Sequence, residues 1–173
     1  MAPRILTSTE AAQLVPDGAT IALCGCLSLL EPDAILEGIE ARFLRDGHPR
    51  DLTVIHPVML ASRKGTGINR FAHDGLMRRV IGGSFSIFPD YEITGMITEE
   101  RVEAYNLPIG TIMHWLRESG AGRPAQLRCS SQCLVKISFN FPIIYGIACQ
   151  SNATREEVIA CLAFEIGRTY PFL

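Results

Sequence analysis

The chain has 173 residues, 47% of them hydrophobic, which suits one packed domain of about 100–150 residues with an appendage and excludes a second complete domain. Its 16 Lys and Arg are scattered among 18 Asp and Glu, for a formal net charge of −2, and its pI is near 6.1; no nucleic-acid or anionic-membrane partner is expected. The longest apolar run, Ile21 to Leu30, falls short of the roughly 18–20 residues a bilayer requires, and Met1 to Glu10 lacks the apolar core of a targeting signal, so the expectation is a cytoplasmic protein, with a mitochondrial location left open.

Thr7 and Glu10 have the spacing of a capping box and start a short helix through Ala11, Ala12 and Leu14, which Pro16-Asp17-Gly18 ends in a turn. Ala19 to Cys24 then reads as a strand covered on both faces, as in a parallel sheet with helices above and below. After a loop from Gly25 to Glu31, Pro32 opens a helix in which Ile35, Leu36, Ile39, Phe43 and Leu44 keep helical spacing until Gly47. Arg42, Arg45 and Arg50 read as a solvated face of that helix and the loop behind it. Leu52 to His56 is a second strand.

Pro57 to Ile68 is a glycine-containing loop, and Asn69 to Met77 reads as a short helix carrying Phe71 and Leu76 inward. Arg79 to Ile81 begins a third strand, closed by Gly82-Gly83, and a short helix is expected within Pro89 to Thr98. Val102 to Tyr105 is a fourth strand with a buried-looking end. Pro108 suits the first position of the next helix, Ile109 to Ser119, whose buried stripe is Ile109, Ile112, Met113 and Leu116. This alternation predicts an α/β protein, a three-layer α/β/α sandwich with a mostly parallel sheet.

From about Arg128 the rhythm stops. Cys133 to Ala148, interrupted by Pro142, reads as two short strands, and Thr154 with Glu157 caps a last helix through Ile166. The expected organisation is a domain over 1–127 and a divergent tail over 128–173, with Gly120 to Pro124 as the boundary region.

Chemistry is expected where strands end and helices begin. Ligands of open α/β sheets bind outside the carboxyl ends of the strands. The stretch Glu103 to Gly110 compresses a strand end, a turn at Asn106 and a helix start into eight residues. The free N–H groups of that helix would face an anion or a developing oxyanion. The loop beginning at Gly25 should lie on the same edge. Both also fit ordinary turns.

Other motifs carry less. Cys24/Cys26 and Cys129/Cys133 are not completed to a four-ligand set, so no metal is expected and small buried cysteines are the reading for the six in the chain. Lys64-Gly65-Thr66-Gly67 has the wrong order for a phosphate loop and lacks the third glycine of a dinucleotide fingerprint. His56, His73 and His114 have no nucleophile elbow beside them. His73 with Asp74 reads as a helix-surface pair.

Residues Ile5 to Leu127 resemble the amino-terminal half of the family I CoA-transferases, nearest the acetate and propionate type. The resemblance rests on ordered blocks: Pro16-Asp17-Gly18-Ala19-Thr20, Gly47-His48-Pro49-Arg50-Asp51-Leu52-Thr53, and Lys64-Gly65-Thr66-Gly67-Ile68-Asn69-Arg70-Phe71-Ala72-His73-Asp74-Gly75-Leu76. Val80-Ile81-Gly82-Gly83 and Glu103-Ala104-Tyr105-Asn106-Leu107-Pro108 follow in order.

The resemblance implies the CoA-transferase fold, incomplete here. It also implies coenzyme A as a substrate, with no permanently bound cofactor, and as partners an acyl-CoA, a short carboxylic acid and either a second, beta-type half or a homo-oligomer. In such enzymes a glutamate of the second half attacks the thioester, and the CoA is carried as a glutamyl-CoA thioester. No catalytic residue is therefore expected in this chain. The residues implied for the substrate and oxyanion loops are Gly25, Asn106, Pro108, Ile109 and Gly110.

The chain departs from the family in three places. The family pattern Gly-Gly-Phe-x-x-x-Gly-x-Pro appears as Cys24-Gly25-Cys26-Leu27-Ser28-Leu29-Leu30-Glu31-Pro32, with Cβ atoms at Cys24 and Glu31 expected to restrict positive-φ conformations. Ile109 stands where the family places Gln. Beyond Leu127 the family segment Thr-Phe-Val-Asp-Pro-Arg is missing, and none of Glu31, Glu92, Glu99, Glu100 or Glu103 lies in the family's nucleophile motif. The expectation is a chain that does not catalyse transfer alone, its tail the product of a reading-frame change or alternative splice. A non-catalytic partner-binding subunit and a sugar-phosphate isomerase relative are the alternatives.

Overall fold

The computed structural model describes residues 5–60, 63–85 and 91–121 and, as backbone, strands at 126–130, 133–137, 144–147 and 164–166. Helix α1, Ser8–Gln13, starts at the expected capping box. The Glu10 amide donates to Thr7 Oγ1 at 3.2 Å, and the Thr7 amide donates to Glu10 Oε2 at 2.8 Å. Strand β1, Thr20–Leu23, follows the Pro16–Gly18 turn.

Helix α2, Asp33–Asp46, ends as expected on Gly47, which takes φ 73° and donates its N–H to the Phe43 carbonyl at 2.8 Å. Ile35, Leu36 and Ile39 are buried, but Leu44 falls outside the stripe and is 64% exposed. Arg42 is no solvated residue. Its Nη1 donates to the carbonyls of Ala12 and Val15, 2.8 Å each, and so satisfies acceptors at the end of α1 while joining the two helices.

Strand β2, Leu52–His56, is buried at every position. The helix expected over Asn69 to Met77 is replaced by a 3-10 turn, Gly67–Phe71, and Met77 already belongs to β3, Met77–Gly82. Gly75, at φ 86°, stops helical winding between them. Phe71 and Leu76 still reach the core.

Helix α3, Glu92–Thr98, lies within the expected segment, whose first residues Pro89 and Asp90 are outside the described ones. Strand β4, Glu103–Asn106, and helix α4, Ile109–Gly120, complete the alternation. Pro108 is the N-cap rather than the first helical residue, with extended ψ 136°. The buried face of α4 carries Ile112 and Trp115, while Ile109 and Met113 are 45% and 50% exposed. The helix presents its 112/115 side to Ile55 and Ile81, which turns 109 and 113 outward.

Strands β5, Gln126–Ser130, and β6, Cys133–Ile137, form an antiparallel pair of their own, and β5 runs across Leu127. Strand β7, Ile144–Ile147, is parallel to β1, and β8, Phe164–Ile166, is antiparallel to β7. The strands expected between Cys133 and Ala148 are thus β6 and β7. The last helix cannot reach Ile166, because 164–166 pairs with β7 as a strand; the start expected for that helix, Thr154 and Glu157, lies outside the described residues.

The main sheet has the order β4-β3-β2-β1-β7-β8, and β1 to β4 are all parallel. Alternate residues face opposite layers. Ile21, Val54 and Val80 meet α1, α2 and α3, whereas Ile55 and Ile81 meet α4. The result is the expected α/β/α sandwich.

Strand β4 is not buried as its sequence suggested. It ends the strand order, so Glu103, Tyr105 and Asn106 are exposed. Arg79 of β3 covers part of it, with Nε 2.6 Å from Glu103 Oε2 and its guanidinium 5.9 Å from the Tyr105 ring centre. Among the described residues no helix is long and apolar enough to cross a membrane.

Candidate active-site edge of the sheet

Because β1 to β4 run parallel, all four deliver their following loops to one edge. The register row Ala22, Ile55, Ile81, Tyr105 crosses the sheet just below it. Gly25 follows β1 and Asn106 ends β4, so the two sequence-identified loops do share this edge. They are not neighbours. Three inter-strand spacings separate them, about 14 Å, and the loops after β2 and β3 lie between.

Those middle loops were missed as site elements, although the Gly82-Gly83 pair after a strand was a usable signal. Here the backbones interlock. The Gly83 N–H donates to the His56 carbonyl, and the Leu107 N–H donates to the Gly82 carbonyl, both at 3.0 Å. A Cβ on Gly83 would overlap the Pro57 carbonyl oxygen and stand 2.8 Å from Ile109 Cγ1. A Cβ on Gly82 would stand 2.6 Å from His56 Cε1. Only glycine lets the ends of β2 and β3 and the start of α4 approach this closely.

At the β4 end, Thr111 and Ile112 donate their N–H groups to the Pro108 carbonyl at 2.8 and 3.2 Å. The amides of Ile109 and Gly110 precede those bonds, in the part of a helix whose donors have no helical partner. Nothing stands within 4 Å of a Cβ built on Gly110. Asn106 is exposed beside them. Together they are suited to hold an oxyanion.

At the β1 end, Gly25 has φ 146°, and a Cβ there would overlap Glu31 Cγ and lie 3.1 Å from Glu31 Cα. The loop closes on itself through a Cys26–Leu29 bridge, and the Ser28 amide donates to Glu31 Oε1 at 2.6 Å. Positive φ falls on Leu27, Ser28 and Leu30, at 49°, 67° and 58°, rather than on Cys24 and Glu31. Counting the family pattern from Gly25 to Pro32 puts its last glycine at Leu30. Cys24 and Cys26 are reduced and exposed, not buried, because both lie beyond the end of β1. The side chains of the other four cysteines are outside the described residues.

A pocket of about 280 Å³ opens below this loop, lined by Ser28, Glu31, Asp33, Arg63 and Thr66. Burial tends to raise the Asp33 carboxyl pKa, but hydrogen bonds from Arg70 and the Gly67 amide outweigh it and hold the group below its usual range. Arg70 bridges Asp33 and Glu40, with Nη2 2.9 Å from Asp33 Oδ2 and Nη1 3.1 Å from Glu40 Oε2. His73 Nε2 is 2.9 Å from Glu40 Oε1. Thus His73 pairs with α2, and its sequence neighbour Asp74 pairs with Arg101 at 2.8 Å.

His56, the third candidate base, is buried at the centre of the edge. Its Nδ1 lies 3.0 Å from the Val58 carbonyl, which can only accept, so Nδ1 carries the proton and Nε2 holds a lone pair with no partner among the described residues. Burial pushes its pKa down to about 4, against a small opposing effect of the Val58 bond. A neutral ring packed edge-on to Phe85, at 5.5 Å between centres, is a structural wall and not a solvent-facing base. His114 is half-buried on α4. Among the described residues no cluster of three or more His, Cys, Asp or Glu is placed to hold a metal ion.

Residues 5–129 match the family described as Coenzyme A transferase. Acetate CoA-transferase YdiF of Escherichia coli O157:H7 is 28% identical over 121 residues, 69% of this chain and 22% of that protein. Caffeate CoA-transferase of Acetobacterium woodii is 27% identical over 125 residues, 70% of this chain and 23% of that protein. In three dimensions, E. coli O157:H7 YdiF in a thioester complex with CoA superposes with TM-score 0.66 at 25% identity, over 72% of this chain and 24% of that one. A variant of the decarboxylase AibA/AibB shares the fold, with TM-score 0.57 at 18% identity, over 72% of this chain and 46% of that one. The chain spans less than a quarter of the length of the curated relatives it matches.

Proposed function

The chain belongs to the coenzyme A transferase family, and we propose that it supplies one wall of an enzyme that moves CoA between a short-chain acyl-CoA and a carboxylic acid. The observation that carries this reading is the shared edge: four parallel strands deliver their loops to it, and the Ile109 and Gly110 amides, at the start of α4, stand at one end. A glutamate of the second half attacks the thioester carbonyl, giving an acyl-glutamyl anhydride and CoA thiolate. The thiolate then attacks the glutamyl carbonyl, releasing the carboxylate and leaving glutamyl-CoA; a second acid collects the CoA by reversal. The Ile109 and Gly110 amides, beside Asn106 and Pro108, receive the oxyanion of each tetrahedral intermediate, and the Gly25 loop bounds the opposite side.

In this reading the isolated chain does not turn over. Of its described glutamates, Glu31 on the edge accepts the Ser28 amide at 2.6 Å and Glu92 pairs with Lys64 at 3.3 Å, while Glu99 and Glu103 lie toward the amino end of β4, away from the edge. The experiment is exchange of label between acetyl-CoA and acetate, on the purified chain and on the chain mixed with a separately produced second half. Background rates alone with transfer in the mixture are the expected outcome. Transfer by the chain alone sinks the inactivity, and a mixture that stays silent while its halves associate favours a partner-binding subunit instead. A sugar-phosphate isomerase needs a basic phosphate cradle at this edge, whereas of the two cations on the loop after β2, Lys64 pairs with Glu92 at 3.3 Å and Arg63 shares its pocket with Glu31 and Asp33.

A further inference from the structure

We propose that Arg70 is a positioning residue for this edge: acting through Asp33, it holds the loop after β1 against the loop after β2 and so sets the shape of the pocket between them. The tie stands on the hydrogen bonds alone, and only its catalytic consequence rests on the CoA-transferase reading. Ser28 and Glu31 line the pocket from the first loop, Arg63 and Thr66 from the second, and Asp33 stands between them. Asp33 directly follows the loop that runs from Gly25 to Pro32, and Gly67 directly follows Thr66. The Asp33 carboxylate spans this gap. Its Oδ1 accepts from the Gly67 amide at 2.7 Å and from Arg70 Nε at 3.0 Å, and its Oδ2 accepts from Arg70 Nη2 at 2.9 Å. Two bonds from a planar guanidinium fix the direction of the carboxylate as well as its distance. The Arg70 side chain is 16% exposed, so water competes little for them.

The loop after β1 needs such a hold. Leu27, Ser28 and Leu30 take φ of 49°, 67° and 58°, and residues with a Cβ stay in that region only where their surroundings impose it. A second tie is the Leu27 amide, which donates to the Met59 carbonyl at 3.1 Å, again between the loops after β1 and β2. Glu31 packs so closely on Gly25 that a Cβ there would overlap its Cγ, so a shift of Asp33 is passed through Glu31 to the pocket wall. The other arm of Arg70 separates this task from plain stabilisation. Nη1 donates to Glu40 Oε2 at 3.1 Å, about 10 Å further along α2, and the second Glu40 oxygen faces His73 rather than either loop.

The test follows amide hydrogen exchange in the full 15N-labelled chain by NMR, for Arg70→Met, Arg70→Lys and Glu40→Gln, with melting curves to establish that each is folded. In Arg70→Met the amides of Cys26, Leu27, Ser28 and Leu29 are expected to exchange about tenfold faster, the worth of one charged hydrogen bond. Lysine restores the charge but not the fork across both Asp33 oxygens, so Arg70→Lys should show about threefold. If Arg70→Met does not fold, Arg70→Lys carries the test. Glu40→Gln lowers global stability and so speeds the core amides of Val54 and Val80, but it should leave the four loop amides within about twofold of the parent. In the chain mixed with its second half, label exchange between acetyl-CoA and acetate should fall about tenfold in Arg70→Met and stay within about twofold of the parent in Glu40→Gln. Unchanged loop exchange in the Arg70 variants, equal loosening of the loop in Glu40→Gln, or parent-like transfer in Arg70→Met overturns the proposal. If the parent mixture itself shows no transfer, the catalytic reading fails, and loop exchange alone decides the tie.

Discussion

Replacing Gly83 by Ala tests the interlocked edge directly. The residue is not in the left-handed region, so the substitution carries no φ penalty, and its whole effect comes from space. The added methyl overlaps the Pro57 carbonyl oxygen, lies 2.9 Å from the Pro57 carbonyl carbon and reaches within 2.8 Å of Ile109 Cγ1. A flexible side chain could move aside, but a backbone carbonyl at the end of a buried strand cannot move alone. Relief requires β2 and β3 to separate at their carboxyl ends, which stretches the 3.0 Å bond from the Gly83 amide to the His56 carbonyl. Overpacking costs about 1–3 kcal/mol, and weakening that bond adds about 1 kcal/mol, so the expected loss is about 3 kcal/mol. For a domain of this size, that lowers Tm by about 6–12 °C. The assay is urea and thermal unfolding beside Gly95→Ala, where nothing lies within 4 Å of the new Cβ in α3 and a gain of about 0.5–1 kcal/mol is expected. If Gly83→Ala stays within about 0.5 kcal/mol of the parent while Gly95→Ala behaves as stated, the close approach of the ends of β2 and β3 and the start of α4 is wrong.

His56 gives a pH dependence of known sign. Its folded pKa of about 4 lies below the usual 6.5, so below pH 6.5 the unfolded chain binds the extra proton first. Stability is then full above pH 6.5 and falls toward pH 4, by up to about 3 kcal/mol from this group. His56→Phe should flatten the slope of unfolding free energy between pH 6.5 and 4.5 relative to the parent, and parallel slopes would refute the assignment. Arg70→Met strands the Asp33 and Glu40 carboxylates that face it and should cost about 2–3 kcal/mol in urea titration; a neutral result would mean the bridge contributes nothing. Thr7→Ala removes the N-cap acceptor of α1 and should cost about 1 kcal/mol, read from the urea midpoint at constant slope.

Much of the sandwich was legible because its elements obey local rules. The α2 helix begins after Pro32 and stops at Gly47, where a left-handed residue is needed; β2 has the bounds the sequence suggests, Leu52 to His56, and is buried at all five positions. Where the sequence misled, the deciding information was not local. Alternation in Val102 to Tyr105 is the same for a central strand and an edge strand, and only the order β4-β3-β2-β1 exposes β4. Arg42 looked solvated because its partners, the Ala12 and Val15 carbonyls, are some thirty residues away. Two strands of the tail were legible, but their place in the sheet escaped for the same reason. Ile144 to Ile147 acquires its meaning from pairing with Thr20 to Leu23, a contact no periodicity within the tail encodes.

The edge itself divides along that line. The loops at Gly25 and Asn106 to Gly110 announced themselves by turn residues and a helix start, features contained within a few residues. The centre did not, because His56 and Gly83 matter only through each other: one is buried and neutral, and the other lets the Pro57 peptide and Ile109 close over it. A sequence reading therefore places both ends of this wall on one edge of the sheet and leaves its middle blank. The middle is filled by backbone and apolar side chains, which join the two turns along one edge of the sheet.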